Sequence, residues 1–150
     1  MSTFPPTLHK EERLYSKKQI DALFQGGRSH ALTAFPLRAM YRIEEEGDDL
    51  SEVTLLPAHM LPAAKMLISV PKRYFKHATD RNRVKRQVRE AYRRNKGIVA
   101  HHPINIAFIW LDSRHRPTAV VEQKVINLLT RIAERLEQQA DQPDGGEVQP

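Results

Sequence analysis

The residues best suited to chemistry crowd into one short segment. Residues 81–96, RNRVKRQVREAYRRNK, contain eight Lys or Arg side chains and one acid, Glu90. A guanidinium group donates hydrogen bonds in a planar fork that matches the oxygens of a phosphate. Asn82, between two arginines, can both donate and accept, so it suits a base edge or a ribose hydroxyl. The segment therefore predicts recognition of a polyanion.

The spacing within this segment predicts a helix over residues 77–96. Apolar residues recur at i, i+4, i+7 and i+8, as on one buried helix face: Val84, Val88, Ala91 and Tyr92. Asp80 lies near the start, where a carboxylate suits the positive end of the helix dipole, and Gly97 ends the helix. The apolar stripe turns the charged side chains away from the interior of the protein.

The outward side of this helix carries a row of like charge. Arg81, Lys85, Arg89 and Arg93 follow one another at four-residue spacing, and Arg86 lies on a flank. Like charges at this spacing repel one another, and a partner that brings negative charge removes that cost. A solvated basic face is the alternative, but such faces usually mix both signs, and this one contains almost no acids.

Other kinds of site find little support in the sequence. There is no cysteine and no H-x-x-x-H pair, and His101, His102 and His115 fall in predicted loops, so zinc is not expected. Acidic residues 44–52 lie in a loop without a defined cage, which favours a solvated loop over a Mg²⁺ site. We therefore assign no catalytic residue and no metal ligand to the chain.

Length and charge set the broad class of protein. The chain has 150 residues, which suits one domain, and its formal net charge is +6. Residues 81–96 alone carry +7, so the basicity sits in one place. Nucleic acid, an anionic membrane and an acidic protein all suit such a surface. A membrane helix is disfavoured because the apolar side of residues 77–96 has no Trp, Phe or Leu anchor.

The rest of the chain predicts the elements that position this helix. A Ser16–Gln19 capping box predicts a helix over about 17–25, which Gly26 and Gly27 end. A further helix starts at Pro117, with Thr118 as its N-cap. Strands are expected at 34–43, 53–56, 65–70 and 104–111, the last of them central because it is continuously apolar.

Together these elements predict an α/β (α+β) two-layer sandwich, in which a small mixed sheet is covered by helices in the order α-β-β-β-α-β-α. Within strand 34–43, alternation places four residues on one face: Phe35, Leu37, Ala39 and Tyr41. Arg38 and Arg42 then lie on the other face. No run approaches 18 apolar residues and no apolar signal core occurs, so we expect a cytoplasmic protein without a membrane span.

Residues 68–93, ISVPKRYFKHATDRNRVKRQVREAYR, resemble the signature of the bacterial ribonuclease P protein component. The family pattern is roughly S-V-x-K-(K/R), followed by A-x-x-R-N-R-x-K-R-x-x-R-(E/Q)-x-(F/Y). It is matched by Ser69, Val70, Lys72, Arg73, Ala78, Arg81, Asn82, Arg83, Lys85, Arg86, Arg89, Glu90 and Tyr92. Residues 13–29, RLYSKKQIDALFQGGRS, look like the N-terminal element of the same family, and the resemblance extends over about 13–136.

The resemblance implies a protein subunit that joins a catalytic RNA, which removes the 5′ leader of precursor tRNA with Mg²⁺ held mainly by the RNA. No membrane and no obligate protein partner are expected. The family's basic helix faces the RNA subunit, so that role passes to Arg81, Asn82, Arg83, Lys85, Arg86 and Arg89. The resemblance also implies a left-handed βαβ crossover, against the usual right-handed rule. Residues 16–140 are expected to form one RNA-binding domain. Pro5 and Pro6 predict an extended arm at 1–15, and the small acidic composition predicts a disordered tail at 141–150.

In the family a cleft between the first helix and the sheet holds the single-stranded leader. Such a groove needs cations for phosphates and aromatic rings for base stacking. The candidates in this sequence are Arg13, Lys17, Phe24, Phe35, Arg38 and Tyr41. Two other functions stay open for the sequence as a whole: a non-catalytic RNA-binding protein of ribosomal or chaperone type, and a free-standing nuclease with acidic metal ligands.

Overall fold

The structure is a computed structural model that describes residues 14, 17–25, 29–43, 64–100 and 102–140. Three helices and four strands make up this part of the chain. In chain order they are α1 (Lys17–Gln25), β1 (His30–Ala34), β2 (Leu37–Ile43), β3 (Lys65–Ser69), α2 (Ala78–Asn95), β4 (Ile104–Trp110) and α3 (Thr118–Ala140). A short 3-10 turn, Lys96–Ile98, follows α2.

The four strands form one mixed sheet in the order β1-β2-β4-β3. β1 pairs antiparallel with β2 across a two-residue turn, Phe35–Pro36, and β2 pairs antiparallel with β4. β3 runs parallel to β4, so α2 is the connection between two neighbouring parallel strands. This mixed α+β architecture confirms the predicted fold class, and β4 is central, as its mainly apolar sequence indicates.

One face of the sheet is covered by α2 and α3 and forms the main core. The four apolar residues of α2 that the sequence singles out, Val84, Val88, Ala91 and Tyr92, are at most 3% exposed. They meet alternate residues of the strands, including Met66, Ile106 and Phe108. Tyr92 and Phe108 contact edge to face, with ring centroids 6.1 Å apart. Burying each such side chain stabilises the fold by roughly 1.5–3 kcal/mol, which fixes the orientation of α2.

α1 covers part of the opposite face. Leu14 and Leu23 pack there with Ala107 of β4, and Ile20, Met40 and Leu67 surround them. Strand alternation separates these residues from the main core, because Met40 and Ala107 point away from Ala39 and Phe108. Arg38 also lies on this second face and is exposed, so α1 leaves part of the face uncovered.

In each edge strand of the sheet, one main-chain carbonyl accepts a hydrogen bond from a residue that does not belong to any strand. At the β3 edge, the backbone N–H of Leu14 donates to the Met66 carbonyl at 2.8 Å. At the β1 edge, Nη1 of Arg131 in α3 donates to the Thr33 carbonyl at 3.0 Å. Each of these carbonyls is therefore satisfied without a further strand.

The structure corrects two details of the sequence prediction. The strand expected at 34–43 begins at Leu37, because Phe35 and Pro36 form the turn after a separate strand, β1, that was not predicted. Thr118 is the first residue of α3 rather than its N-cap, and its hydroxyl accepts a hydrogen bond from Gln87 Nε2 at 3.2 Å. The strand expected at 53–56, the arm at 1–13, most of the loop 44–64 and the tail at 141–150 lie outside the described residues.

Candidate nucleic-acid interface

The outward side of α2 presents the cations and the amide that the sequence assigns to polyanion binding. Asn82, Arg83, Arg86 and Arg89 are exposed, and Lys85 is half-buried. Among the described residues, the structure records no acidic partner for the four cations of this group. We refer to Asn82, Arg83, Lys85, Arg86 and Arg89 as the outer face of α2. Its charges are thus available to a partner outside the chain.

The C-terminal turn of α2 is different, because its cations have acidic partners within the chain. Arg93 forms an ion pair with Glu90, and Arg94 Nη1 lies 3.8 Å from Glu122 Oε1 in α3. The hydrogen bond from Arg93 holds the pKa of the Glu90 carboxyl below its usual range and raises the pKa of Arg93. Asn95 Nδ2 also donates to Glu122, at 3.1 Å. This end of α2 is joined to α3.

Arg81 begins the basic row, but part of its guanidinium is used within the protein. Its Nη1 donates to the carbonyl oxygens of Phe75 and Lys76, at 2.9 and 2.8 Å. These bonds fold the segment before α2 back onto the first helical turn. An arginine has five N–H donors, so Nε and Nη2 can still serve a phosphate or a base. Arg81 therefore has a structural role beside the RNA-facing role expected from the resemblance.

The loop from Leu111 to Pro117 is held beside the other flank of α2. Gln87 Nε2 donates to the Arg116 carbonyl at 3.0 Å, and Arg116 Nε donates to Asp112 Oδ2 at 2.7 Å. Burial alone would raise the pKa of the Asp112 carboxyl. Hydrogen bonds from the Arg116 side chain and the Arg114 backbone, with the charges of both arginines, outweigh burial and lower this pKa. Asp112 is therefore the ionised centre of the loop.

The residues expected to line a leader cleft do not all meet on one side of the sheet. Phe24 of α1 is 41% exposed, and Lys17 and Arg38 are also exposed. Arg38 is on the same face of β2 as Met40, which packs beneath α1, so Arg38 lies on the α1 side of the sheet. Arg13 lies outside the described residues.

Tyr41 requires a correction. It is 1% exposed and lies in the main core under α2 and α3, since alternation along β2 turns it away from α1. Phe35 is 53% exposed, but it stands in the β1–β2 turn with the Arg116 guanidinium 5.6 Å from its ring centroid. The two rings therefore do not share a strand face, and Tyr41 presents no ring to a base.

Sequence reasoning missed the residues that tie loops to α2, namely Gln87, Asp112, His115 and Arg116. Their partners lie far away in the chain, as with the 29 residues that separate Gln87 from Arg116. No local pattern encodes such pairs. Asp112 alone had a signal, because it directly precedes SRHRP, which contains two arginines at short spacing.

Neither a metal-binding cluster nor a membrane-spanning helix occurs among the described residues. These residues bring together no group of three or more His, Cys, Asp or Glu side chains that could hold a metal ion. Within the same part of the chain, none of the helices is both long enough and apolar enough to cross a membrane.

The geometry defines a small α+β protein that presents a basic helix on a sheet, a class suited to binding RNA. Comparison with known proteins gives the particular family: the family model described as Ribonuclease P matches residues 8–133. A ribonuclease P protein component from Porphyromonas gingivalis is 37% identical over 139 residues, which cover 87% of this chain and 91% of that protein.

Solved structures agree with this assignment. The ribonuclease P protein from Thermotoga maritima superimposes with a TM-score of 0.59 at 25% identity, covering 80% of this chain and 96% of its own. The protein from Staphylococcus aureus gives a TM-score of 0.59 at 15% identity, covering 81% and 94%, which shows the fold alone. The chain belongs to the ribonuclease P protein family. It is an RNA-binding protein of tRNA processing and takes part in an endoribonuclease complex.

Proposed function

We propose that the outer face of α2 binds the RNA subunit of ribonuclease P, and that the RNA carries out the cleavage of precursor tRNA. The observation that supports this most is the run of outward cations without acidic partners among the described residues. Their mutual repulsion disfavours the free protein, and RNA phosphates relieve it. Arg81 joins this surface through the donors that it does not use within the protein.

In this proposal the protein contributes binding and orientation rather than a reacting side chain. Phosphodiester hydrolysis in this complex relies on Mg²⁺ ions held mainly by the RNA, where they polarise phosphate oxygens and activate water. The part of the chain that the structure describes offers no cluster of three metal-ligand side chains, so we assign no residue of that part to a metal ion. The cations of α2 instead neutralise phosphates that would repel one another when RNA segments approach.

The precursor tRNA leader is proposed to lie in the groove beside α1. Phe24 supplies a partly exposed ring for base stacking, while Lys17 and Arg38 supply cations for the backbone. Arg13 completes the set by resemblance alone, and Phe35 stands apart at the β1–β2 turn. No obligate protein partner is proposed, and the site of action is the cytoplasm.

The decisive experiment is cleavage of a 5′-extended precursor tRNA at low Mg²⁺. Cognate RNA subunit alone, protein alone and the two together are compared. We expect cleavage only, or far faster, with both. Cleavage by protein freed of contaminating RNA would place the chemistry on the protein and contradict the proposal. Unchanged cleavage with RNA binding retained would instead favour a ribosomal or chaperone-type RNA-binding protein.

A further inference from the structure

The loop between β4 and α3 is fixed against the first turn of α2 by one histidine. His115 Nε2 lies 3.1 Å from Asp80 Oδ1. The imidazole also stacks on Phe75, with ring centroids 4.5 Å apart and planes inclined by 18°. The following residue, Arg116, is tied to α2 through the hydrogen bond from Gln87. His115 is therefore held on both sides and does not swing freely.

The contacts of His115 converge on Arg81. Phe75, on whose ring His115 stacks, accepts a hydrogen bond from Arg81 Nη1 through its carbonyl. Asp80, the other partner of His115, directly precedes Arg81, and the backbone N–H groups of both residues donate to the His77 carbonyl, at 3.1 and 3.2 Å. The His115 imidazole thus contacts Phe75, whose carbonyl binds the Arg81 side chain, and Asp80, which precedes Arg81 in α2.

The surroundings of the imidazole select one tautomer. Nδ1 of His115 is buried, and the structure records no hydrogen-bond partner for it among the described residues. A buried N–H without a partner is rarer and more costly than an unpaired acceptor. Nε2 is therefore the ring nitrogen that carries a proton toward Asp80, and it donates to Oδ1 of that side chain.

We infer that His115 is a positioning residue for RNA binding, which acts through Asp80 and Phe75 to set where the Arg81 guanidinium stands. The inference rests on the proposed function, because it requires that α2 contacts RNA. A guanidinium held in place loses less conformational entropy when it binds a phosphate than a freely rotating one. Without the imidazole, the carbonyl groups of Phe75 and Lys76 that bind Arg81 are held less firmly. RNA affinity therefore falls.

His115 and Asp80 lie at the rim of the fold, against the edge of its core. Their side chains are 24% and 42% exposed and do not belong to the main core, which Phe75 joins. Exposed pairs of this kind contribute little to global stability. The effect of His115 should therefore be seen in RNA affinity more than in unfolding.

The test compares binding of the full-length protein to its cognate ribonuclease P RNA across substitutions of His115. His115→Ala should weaken binding about fivefold, the effect of one hydrogen bond, with little change in the urea midpoint of unfolding. His115→Gln keeps a donor near the place of Nε2 and should restore most of the affinity. His115→Phe keeps only the stacked ring and should not. His102→Ala, at the opposite end of β4, is the matched control and should bind as the unchanged protein does.

Two further variants separate this inference from the proposed function. In Arg81→Ala, adding His115→Ala should cost little more, because the residue that His115 positions is already gone. Fully additive losses, or an unaffected His115→Ala beside a weakened Arg89→Ala, would overturn the role of His115. If neither Arg81→Ala nor Arg89→Ala weakens binding, the proposed function itself is wrong. Should His115→Ala fail to fold, the contrast between His115→Gln and His115→Phe decides.

Discussion

Two regions of α2 carry the same residue types but place them in different environments. From Arg83 to Arg89 the cations point outward, and the structure records no acidic partner for them among the described residues. In the last turn, Arg93 is held by Glu90 and Arg94 lies beside Glu122 of α3. The first region is open to a polyanion, whereas the second joins the helix to its own fold. Sequence composition alone treats the two regions as one basic run.

This difference indicates what distinguishes a binding surface from a structural contact. It is whether the cations are paired with acids of the same chain, rather than their charge alone. An ion pair on the surface contributes little to stability, but it lowers the positive potential near its cation. An RNA backbone therefore meets a stronger field over the middle of α2 than over its end. The predictions below test this contrast.

Removing cations should weaken RNA binding much more in the first region than in the second, although the two regions are alike in composition. The triple variant Lys85→Ala/Arg86→Ala/Arg89→Ala should weaken binding to ribonuclease P RNA about 100-fold and lower the salt slope by about three units. The double variant Arg93→Ala/Arg94→Ala should weaken binding less than about fivefold. Filter binding across a salt series measures both values. Equal losses per cation in the two regions would show that pairing is irrelevant to RNA binding.

The same logic predicts that a paired arginine outside α2 serves the fold. Asp112→Ala removes a buried carboxylate from Arg116 and from the Arg114 backbone, and should lower the free energy of unfolding by about 1–3 kcal/mol. Urea denaturation measures this change, while RNA affinity extrapolated to the folded protein should fall by less than the roughly fivefold loss expected for His115→Ala.

The pH dependence of this contact has a defined sign. The folded state holds Asp112 at a lower pKa than the unfolded chain, so the unfolded chain binds a proton first as the pH falls. The stabilisation is fully present above about pH 4 and is lost as the pH falls through the folded-state pKa. The difference in stability between the original protein and Asp112→Ala should therefore shrink below about pH 4. A constant difference down to about pH 2 would contradict this assignment.

Two aromatic residues outside α2, exposed Phe24 and buried Tyr41, should also differ in their roles. Phe24→Ala should weaken binding of a single-stranded leader roughly tenfold, because one stacked base is lost. Tyr41→Ala should instead destabilise the fold by about 3–5 kcal/mol, since Tyr41 lies in the main core. Fluorescence titration with a labelled leader oligonucleotide and urea unfolding separate the two effects. If Phe24→Ala binds the leader with unchanged affinity, Phe24 does not line the groove.

A single cation of the outer face gives a smaller but specific effect. Arg89→Ala should lower the salt slope of RNA binding by about one unit and weaken binding to different RNA sequences alike. Arg93→Ala serves as the matched control at the same spacing on the helix. A change in sequence preference, with the slope unchanged, would mean that Arg89 reads a base instead.

The smallest expected effect comes from releasing a paired cation. Glu90→Gln removes the carboxylate that holds Arg93 and should strengthen RNA binding about twofold at low salt. The gain should disappear at high salt, because screening weakens both the pair and the RNA contact. Weaker binding in this variant would indicate that the pair orients Arg93 toward RNA.

The sequence predicted the helices and the central strand well because their signals are local. The stripe of Val84, Val88, Ala91 and Tyr92 is visible from the helical period alone. Residues 104–111 are recognisable as a buried strand because Asn105 is their one polar residue. β1 escaped prediction because HALTA alternates weakly and contains only one β-branched residue, Thr33. Its pairing with β2 is a tertiary property.

The candidate site was predicted in part for the same reason. Spacing placed the outer face of α2 on one side of a helix, but it did not show that Arg81 is bound to the carbonyls of Phe75 and Lys76. Nor could alternation decide which face of β2 lies under α1, so Tyr41 and Arg38 were both retained as cleft candidates. Only the packing of Met40 with Leu23 separates them.

The edges of the sheet bear on how such a protein survives before it meets its RNA. An open edge strand invites strand addition by another copy, which is a common start of aggregation. Here the Leu14 amide binds the Met66 carbonyl of one edge strand, and Arg131 binds the Thr33 carbonyl of the other. These two hydrogen bonds therefore hinder edge-to-edge association of newly made chains. Arg131→Ala removes one of them and should self-associate more readily at high concentration.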